Sequence, residues 1–216
     1  MLVLIRDMIS PGTALGRISK EEDSSPFKVL ISTILSARTK DPVTEKASER
    51  LFERYPDAAL LSKADRRHVA NLIQPVGFYN EKAKRVIQVA RLIEKKYAGK
   101  VPSNLDELLE LPGVGRKTAN CVLVYAFQIP AVPVDVHVHR ISNRIGLVST
   151  VKPEDTEIKL SQIYEKRYWL VLNEIFVRFG QMICKPIIPR CKICSVRPLC
   201  NYYQNEVKTG RRPSSS

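Results

Sequence analysis

Helix starts and stops recur along this 216-residue chain and no useful run alternates apolar with polar residues, which restricts the fold to helices packed on helices. Ser24-Ser25-Pro26 reads as a cap followed by proline in a first turn, with Phe27, Leu30, Ile31, Ile34 and Leu35 at helical spacing behind it. Asp41-Pro42 restarts the pattern through Val43, Ala47 and Leu51 until Pro56. Asp65 opens a third segment that Pro75 closes, and Asn80 opens a long one with Val86, Val89, Ala90 and Ile93 on one face and Gly99 at its end. Segments 105–111 and 117–127 flank an LPGVG turn, and further helices are expected near 136–145, 153–165 and 169–182. No internal repeat of fixed period is present. The expected class is all-α.

At 44% hydrophobic and 26% charged residues the composition is that of a globular domain rather than a disordered chain. No window approaches the ~18 uninterrupted apolar residues of a membrane span. The opening MLVLIRDMIS is too short for a secretory h-region and has no basic stretch before it. The expectation is a soluble intracellular protein of cytoplasm or nucleoid. The net charge of +13 points to a polyanionic partner, nucleic acid first, against the plainer reading of charge as a solubility device. The surplus is uneven. Residues 184–216 carry a net +6 and residues 111–146 a net +3.

Four of the five cysteines, Cys184, Cys191, Cys194 and Cys200, form a C-x6-C-x2-C-x5-C array. The fifth, Cys121, lies in an apolar run and reads as a small core residue. Disulfides fit poorly with an intracellular chain. Four thiolates suit a structural zinc, although zinc ribbons usually show two C-x2-C pairs, and they equally suit a [4Fe–4S] cluster. Spacing alone leaves zinc and cluster open.

In LELPGVGRKTANCVLVYAF, Pro112-Gly113-Val114-Gly115 makes a tight turn whose glycines leave backbone N–H groups uncovered. The helix that follows points its dipole end at the same place, an anion site suited to a phosphate, with a plain αα-corner as the bland alternative. Lys117 falls in the first turn of that helix, where a cation is disfavoured. It either snorkels to solvent or gains neutral amine and becomes a nucleophile toward an aldehyde-like carbon. Asp135, before the next helical run, reads as an N-cap. His137 and His139 diverge by roughly 200° on a helix and cannot share one metal, so they read as surface or packing residues.

Together, LPGVGRKTAN (111–120), VDVHVHR (134–140) and the cysteine array, in that order, resemble the endonuclease III branch of the helix-hairpin-helix DNA glycosylases. SSPFKVLISTILSARTKD (24–41) and VGFYNEKA (76–83) are similar to the same family, so the resemblance runs from about Ser24 to Tyr202. It implies a helical-barrel domain over 22–130 and a cluster domain made of 1–21 with 131–216, a DNA cleft between them, and a flexible basic tail over 203–216. It also implies a [4Fe–4S] cluster on the four cysteines, mainly structural, in place of zinc.

The implied activity is a bifunctional glycosylase and AP lyase acting as a monomer on duplex DNA with oxidised pyrimidines or abasic sites. Lys117 would attack C1′, assisted by the Asp135 carboxylate, and β-elimination through a Schiff base would follow. The resemblance places DNA contacts at Gly113, Val114, Gly115, Arg116 and Thr118 of the hairpin and at Lys185 and Arg190 of loop 184–191. Phe78 would be an apolar wedge in the emptied stack. Arg38 stands where close relatives carry Gln, which leaves the opposite-strand preference open; a guanidinium there could bond an orphaned purine edge. A monofunctional mismatch or uracil-type glycosylase would have no need of Lys117. A non-enzymatic hairpin module would need neither Lys117 nor Asp135, and a ferredoxin-like carrier would be oddly charged at +13.

Overall fold

The structure is a computed structural model that describes residues 1–9, 12–21 and 24–207. Twelve α-helices and no strand occur among them. The chain divides into two compact units, Thr13–Ala131 and the pair Met1–Gly12 with Val132–Ser216.

The continuous unit contains α2 (Ala14–Ile18), α3 (Pro26–Ser36), α4 (Asp41–Arg54), α5 (Ala58–Ser62), α6 (Arg66–Ile73), α7 (Tyr79–Tyr97), α8 (Leu105–Leu109) and α9 (Arg116–Phe127). Short polar side chains start most of them by accepting a first-turn N–H: Thr13 from Gly16, Ser25 from Lys28, Asp57 from Leu60, Asp65 from His68 and Asn104 from Glu107. The middle of the unit is set by α3 and α9. Phe27 and the run Val29–Leu35 are all buried, as are Ala119–Tyr125. A helix apolar all round must be enclosed, and α3 is, by α2, α4, α7 and α9. Cys121 is among these core residues, fully buried.

The other unit joins α1 (Leu2–Arg6) to α10 (Val136–Ile145), α11 (Pro153–Ile163) and α12 (Lys166–Met182). Phe176, Phe179, Leu172, Ile141, Val138 and Leu160 form its centre, with Leu2 and Ile5 of α1 packed in from the chain start. Beyond Met182 regular structure gives way to loops with two 3-10 turns, at Cys191–Ile193 and Arg197–Leu199.

Three differences from the sequence expectation stand out. Helices α1, α2 and α5, of five residues each, escape a periodicity reading because they hold barely one turn. The division falls at residue 13 rather than 22, because α2 packs on α3 and α4. The tail expected to be flexible from 203 begins with a π-helical turn, Tyr203–Val207, in which the Tyr203 ring lies 5.4 Å from the Arg197 guanidinium; 208–216 lie outside the described residues.

Candidate active site

The hairpin belongs wholly to the continuous unit. Its turn bends on Gly113, with φ +72, the left-handed region that favours glycine. A Cβ there would also stand 2.3 Å from Cδ and Nε of Arg85, so the Arg85 side chain lies across the turn. Gly115 is different. Its φ is −91 and a Cβ would meet nothing, so its own fold does not demand glycine; the missing side chain keeps the approach to the backbone open. It caps α9 with no side-chain bond, which leaves the positive end of that helix to an external anion. Gly113, Gly115 and Arg116 are exposed, and Lys117 and Thr118 half-buried. Val114 is a core residue, buried to 5% exposure, and its N–H donates to the Leu111 carbonyl at 3.0 Å, closing the turn.

A second exposed device stands on the same unit. Phe78, 65% exposed, begins α7, and the Arg38 guanidinium lies 5.9 Å from its ring centroid. Both residues are in the left-handed region (φ 58 and 54), which costs on the order of 1 kcal/mol apiece for a residue with a Cβ. Beneath them the ammonium of Lys82 is buried. It donates to the carbonyls of Leu35 and Ala37 at 2.7 and 2.6 Å and to Thr39 Oγ1 at 3.2 Å. Burial, with the charge of Arg85 next, pushes this lysine down to about 8. Sequence reasoning missed Lys82 because a lysine among charged neighbours reads as solvated. One signal was present: it shares the register of the buried Val86, Val89 and Ile93.

In the other unit Asp135 caps α10. Its Oδ1 accepts both cap bonds, from the N–H groups of His137 and Val138 at 2.9 Å each, and Oδ2 takes no part in the cap. The carboxylate is half-buried and held at a rigid point. His139 Nδ1 is 2.7 Å from Thr156 Oγ1, and His137 Nδ1 is 3.2 Å from Arg140 Nη2, so the two histidines face different partners. Arg140 also donates to the carbonyl of Cys184 at 2.8 Å. Arg144, a turn later, donates to the carbonyls of Lys185 and Pro186 at 2.8 and 2.6 Å and stacks on Tyr202. One face of α10 therefore stitches loop 184–191, a role that charge counting did not reveal. Lys185 is half-buried and Arg190 exposed on that loop.

All four array cysteines are free thiols and border one cavity, lined otherwise mainly by apolar and aromatic side chains including Ile145, Phe179, Ile183, Val196 and Tyr202, with Arg190 and Arg197 at it too. Burial above all, with the charges of neighbouring cysteines acting in the same direction, pushes the thiols of Cys191, Cys194 and Cys200 up. Thiolates gathered in an apolar hollow need a positive centre to be stable, so the donor set fits a thiolate-bound metal group. Arg144 Nη1 adds an N–H toward Cys184 Sγ at 3.7 Å. Among the described residues, no three or more of His, Cys, Asp and Glu are arranged to hold a metal ion.

Residues 31–166 match the family described as HhH-GPD superfamily base excision DNA repair protein. The chain is 48% identical over 187 residues to the Endonuclease III of Thermotoga maritima, covering 87% of this chain and 88% of the relative. Its fold superposes on the structure of a non-covalent Endonuclease III–DNA complex with TM-score 0.87 and 32% identity, over 96% of this chain and 95% of the other. It superposes on a trapped Endonuclease III–DNA covalent intermediate with TM-score 0.82 and 32% identity, over 98% and 99%.

Proposed function

The chain belongs to the HhH-GPD superfamily of base excision DNA repair proteins, in its endonuclease III branch, and we propose that as a DNA glycosylase and AP lyase it removes oxidised pyrimidines from duplex DNA through Lys117 and Asp135. The observation that carries this reading is Lys117 itself, half-buried in the first turn of a helix whose glycine cap is bare. Nucleophilic attack requires a lysine amine within reach of the bound strand, and the first turn behind a phosphate-binding glycine cap supplies that placement. The N–C1′ bond forms as the glycosidic bond breaks and the base departs with the electron pair and a proton. The lysine–sugar adduct opens to an imine, and loss of the C2′ proton expels the 3′ phosphate. Asp135, with Oδ2 outside its cap, would stabilise the cationic character at C1′ and move the proton.

Gly113, Gly115, Arg116 and Thr118 would hold phosphates of the damaged strand, with Val114 anchoring their turn, and Lys185 and Arg190 others. Phe78 would fill the stack that the extruded nucleotide leaves, with Arg38 toward the opposite base. Cys184, Cys191, Cys194 and Cys200 would hold a [4Fe–4S] cluster. Four thiols bordering one cavity suit either a cluster or one zinc, and the family membership is what favours the cluster. When bound, that group supplies structure to the loop. A monomer is the expected form. Among the described residues no helix is long and apolar enough to cross a membrane.

Borohydride reduction on a duplex carrying an oxidised pyrimidine tests the chemistry. A covalent protein–DNA adduct is expected, and Lys117→Gln should abolish it. Strand cleavage persisting undiminished in Lys117→Gln would falsify the imine route.

A further inference from the structure

We propose that Lys82 is a positioning residue for lesion engagement: its ammonium ties the turn after α3 to the head of α7 and so holds Arg38 and Phe78 side by side as one probing edge. The inference rests on the reading of Phe78 and Arg38 as the residues that enter the duplex.

Helix α3 ends at Ala37, with φ −56 and ψ 119, and its last turn is only partly closed from nearby: the Ser36 carbonyl accepts from the Thr39 N–H at 3.0 Å and the Thr33 carbonyl from the Ser36 hydroxyl at 2.8 Å. Lys82 takes the carbonyls of Leu35 and of Ala37 just beyond the helix, and with Thr39 Oγ1 they use all three donors of the ammonium. The lysine is 5% exposed and stands on the buried face of α7, where an aliphatic residue would pack without desolvating a charge. Its depressed pKa shows that the fold disfavours the charge it nevertheless keeps.

What that charge organises is local and specific. Arg38 lies between two of the groups bonded by Lys82, Ala37 and Thr39, and is held in the left-handed region. Phe78 lies one helical turn before Lys82 and is held there too. Gly77 brings the chain close behind: a Cβ at that residue would stand 3.1 Å from the Arg38 carbonyl oxygen. Arg38 and Phe78 come from turns forty residues apart, and the tie through Lys82 is what sets them at 5.9 Å. A residue one turn further along α7, Arg85, lies across Gly113 of the hairpin, so the same helix touches both exposed devices of this unit.

The test uses the full chain, a duplex carrying a tetrahydrofuran abasic analogue with 2-aminopurine beside it, and an undamaged duplex of the same sequence. Wild type is expected to prefer the analogue and to raise the 2-aminopurine fluorescence as the stack opens. Failure of wild type to do either breaks the functional reading, not the role of Lys82. With wild type behaving so, Lys82→Met should bind undamaged duplex within about twofold of wild type and lose about tenfold or more of the preference, together with the fluorescence rise. It should still cut an abasic site in single-stranded DNA, where nothing has to be extruded. A folded Lys82→Met with preference and fluorescence intact overturns the proposal. Should that variant fail to fold, Thr39→Val removes one acceptor while leaving the ammonium in place. It should lower the preference about two- to fivefold, and no change there overturns the proposal as well.

Discussion

The two compact units are held together by different physics. Thr13–Ala131 closes on apolar helices, with α3 and α9 buried on every side and polar caps at the helix starts. The unit made of Met1–Gly12 and Val132–Ser216 has an apolar centre around Phe176 and Phe179, but its last stretch is loops. Those loops are fastened by guanidinium bonds from Arg140 and Arg144 and converge on four cysteines, of which burial pushes the thiols of Cys191, Cys194 and Cys200 up. The core of the first unit is closed by apolar side chains of its own helices. The second gathers four thiols that a bound cation would stabilise as thiolates. Under the proposed function, the first unit would read the helix stack and the second would scaffold contact with the DNA backbone.

The largest expected effect breaks the second unit alone. Cys194→Ser should remove iron and visible absorbance from anaerobically purified protein and open loop 184–200 to protease, while 13–131 stays resistant. Zinc without iron in the wild type would reassign the donor set. Next, Leu35→Ala in the enclosed α3 should cost about 2–5 kcal/mol in denaturant unfolding without changing metal content. Loss of metal there would show that the units share one cooperative transition.

Asp135→Asn separates cap from chemistry. An asparagine oxygen can accept the same two N–H bonds, so stability should stay within about 1 kcal/mol while base excision falls about a hundredfold or more. Equal small losses in both would reduce Asp135 to a cap. The smallest effect is in pH. The folded state holds the Lys82 proton only up to about pH 8 and the unfolded chain up to about 10.5, so between these the unfolded chain binds more protons and stability from this group rises with pH. Melting temperatures of wild type relative to Lys82→Met should climb from pH 7.5 to 9.5, and a flat difference would refute the burial of the charge.

Local chemistry was legible. Ser25-Pro26, Asp65 and the Asp135 cap each act through atoms within three residues, and the structure has them where the sequence expects. Gly113 was legible as a turn, but its closeness to Arg85 was not, because Arg85 arrives from a helix separated from it by many residues. The five-residue helices α1, α2 and α5 were missed because a single turn is too short for a period to register.

The sequence by itself determined the all-helical class, the glycine turn with Lys117 behind it, the rigid mount of Asp135 and a four-thiol donor set, since each depends on residue type at short spacing. Only the tertiary structure decided which carbonyls Lys82 caps, that Arg38 and Phe78 stand together, and that Arg140 and Arg144 fasten the cysteine loop. Long, flexible side chains carry these links across elements, and their partners are chosen by packing rather than by distance along the chain.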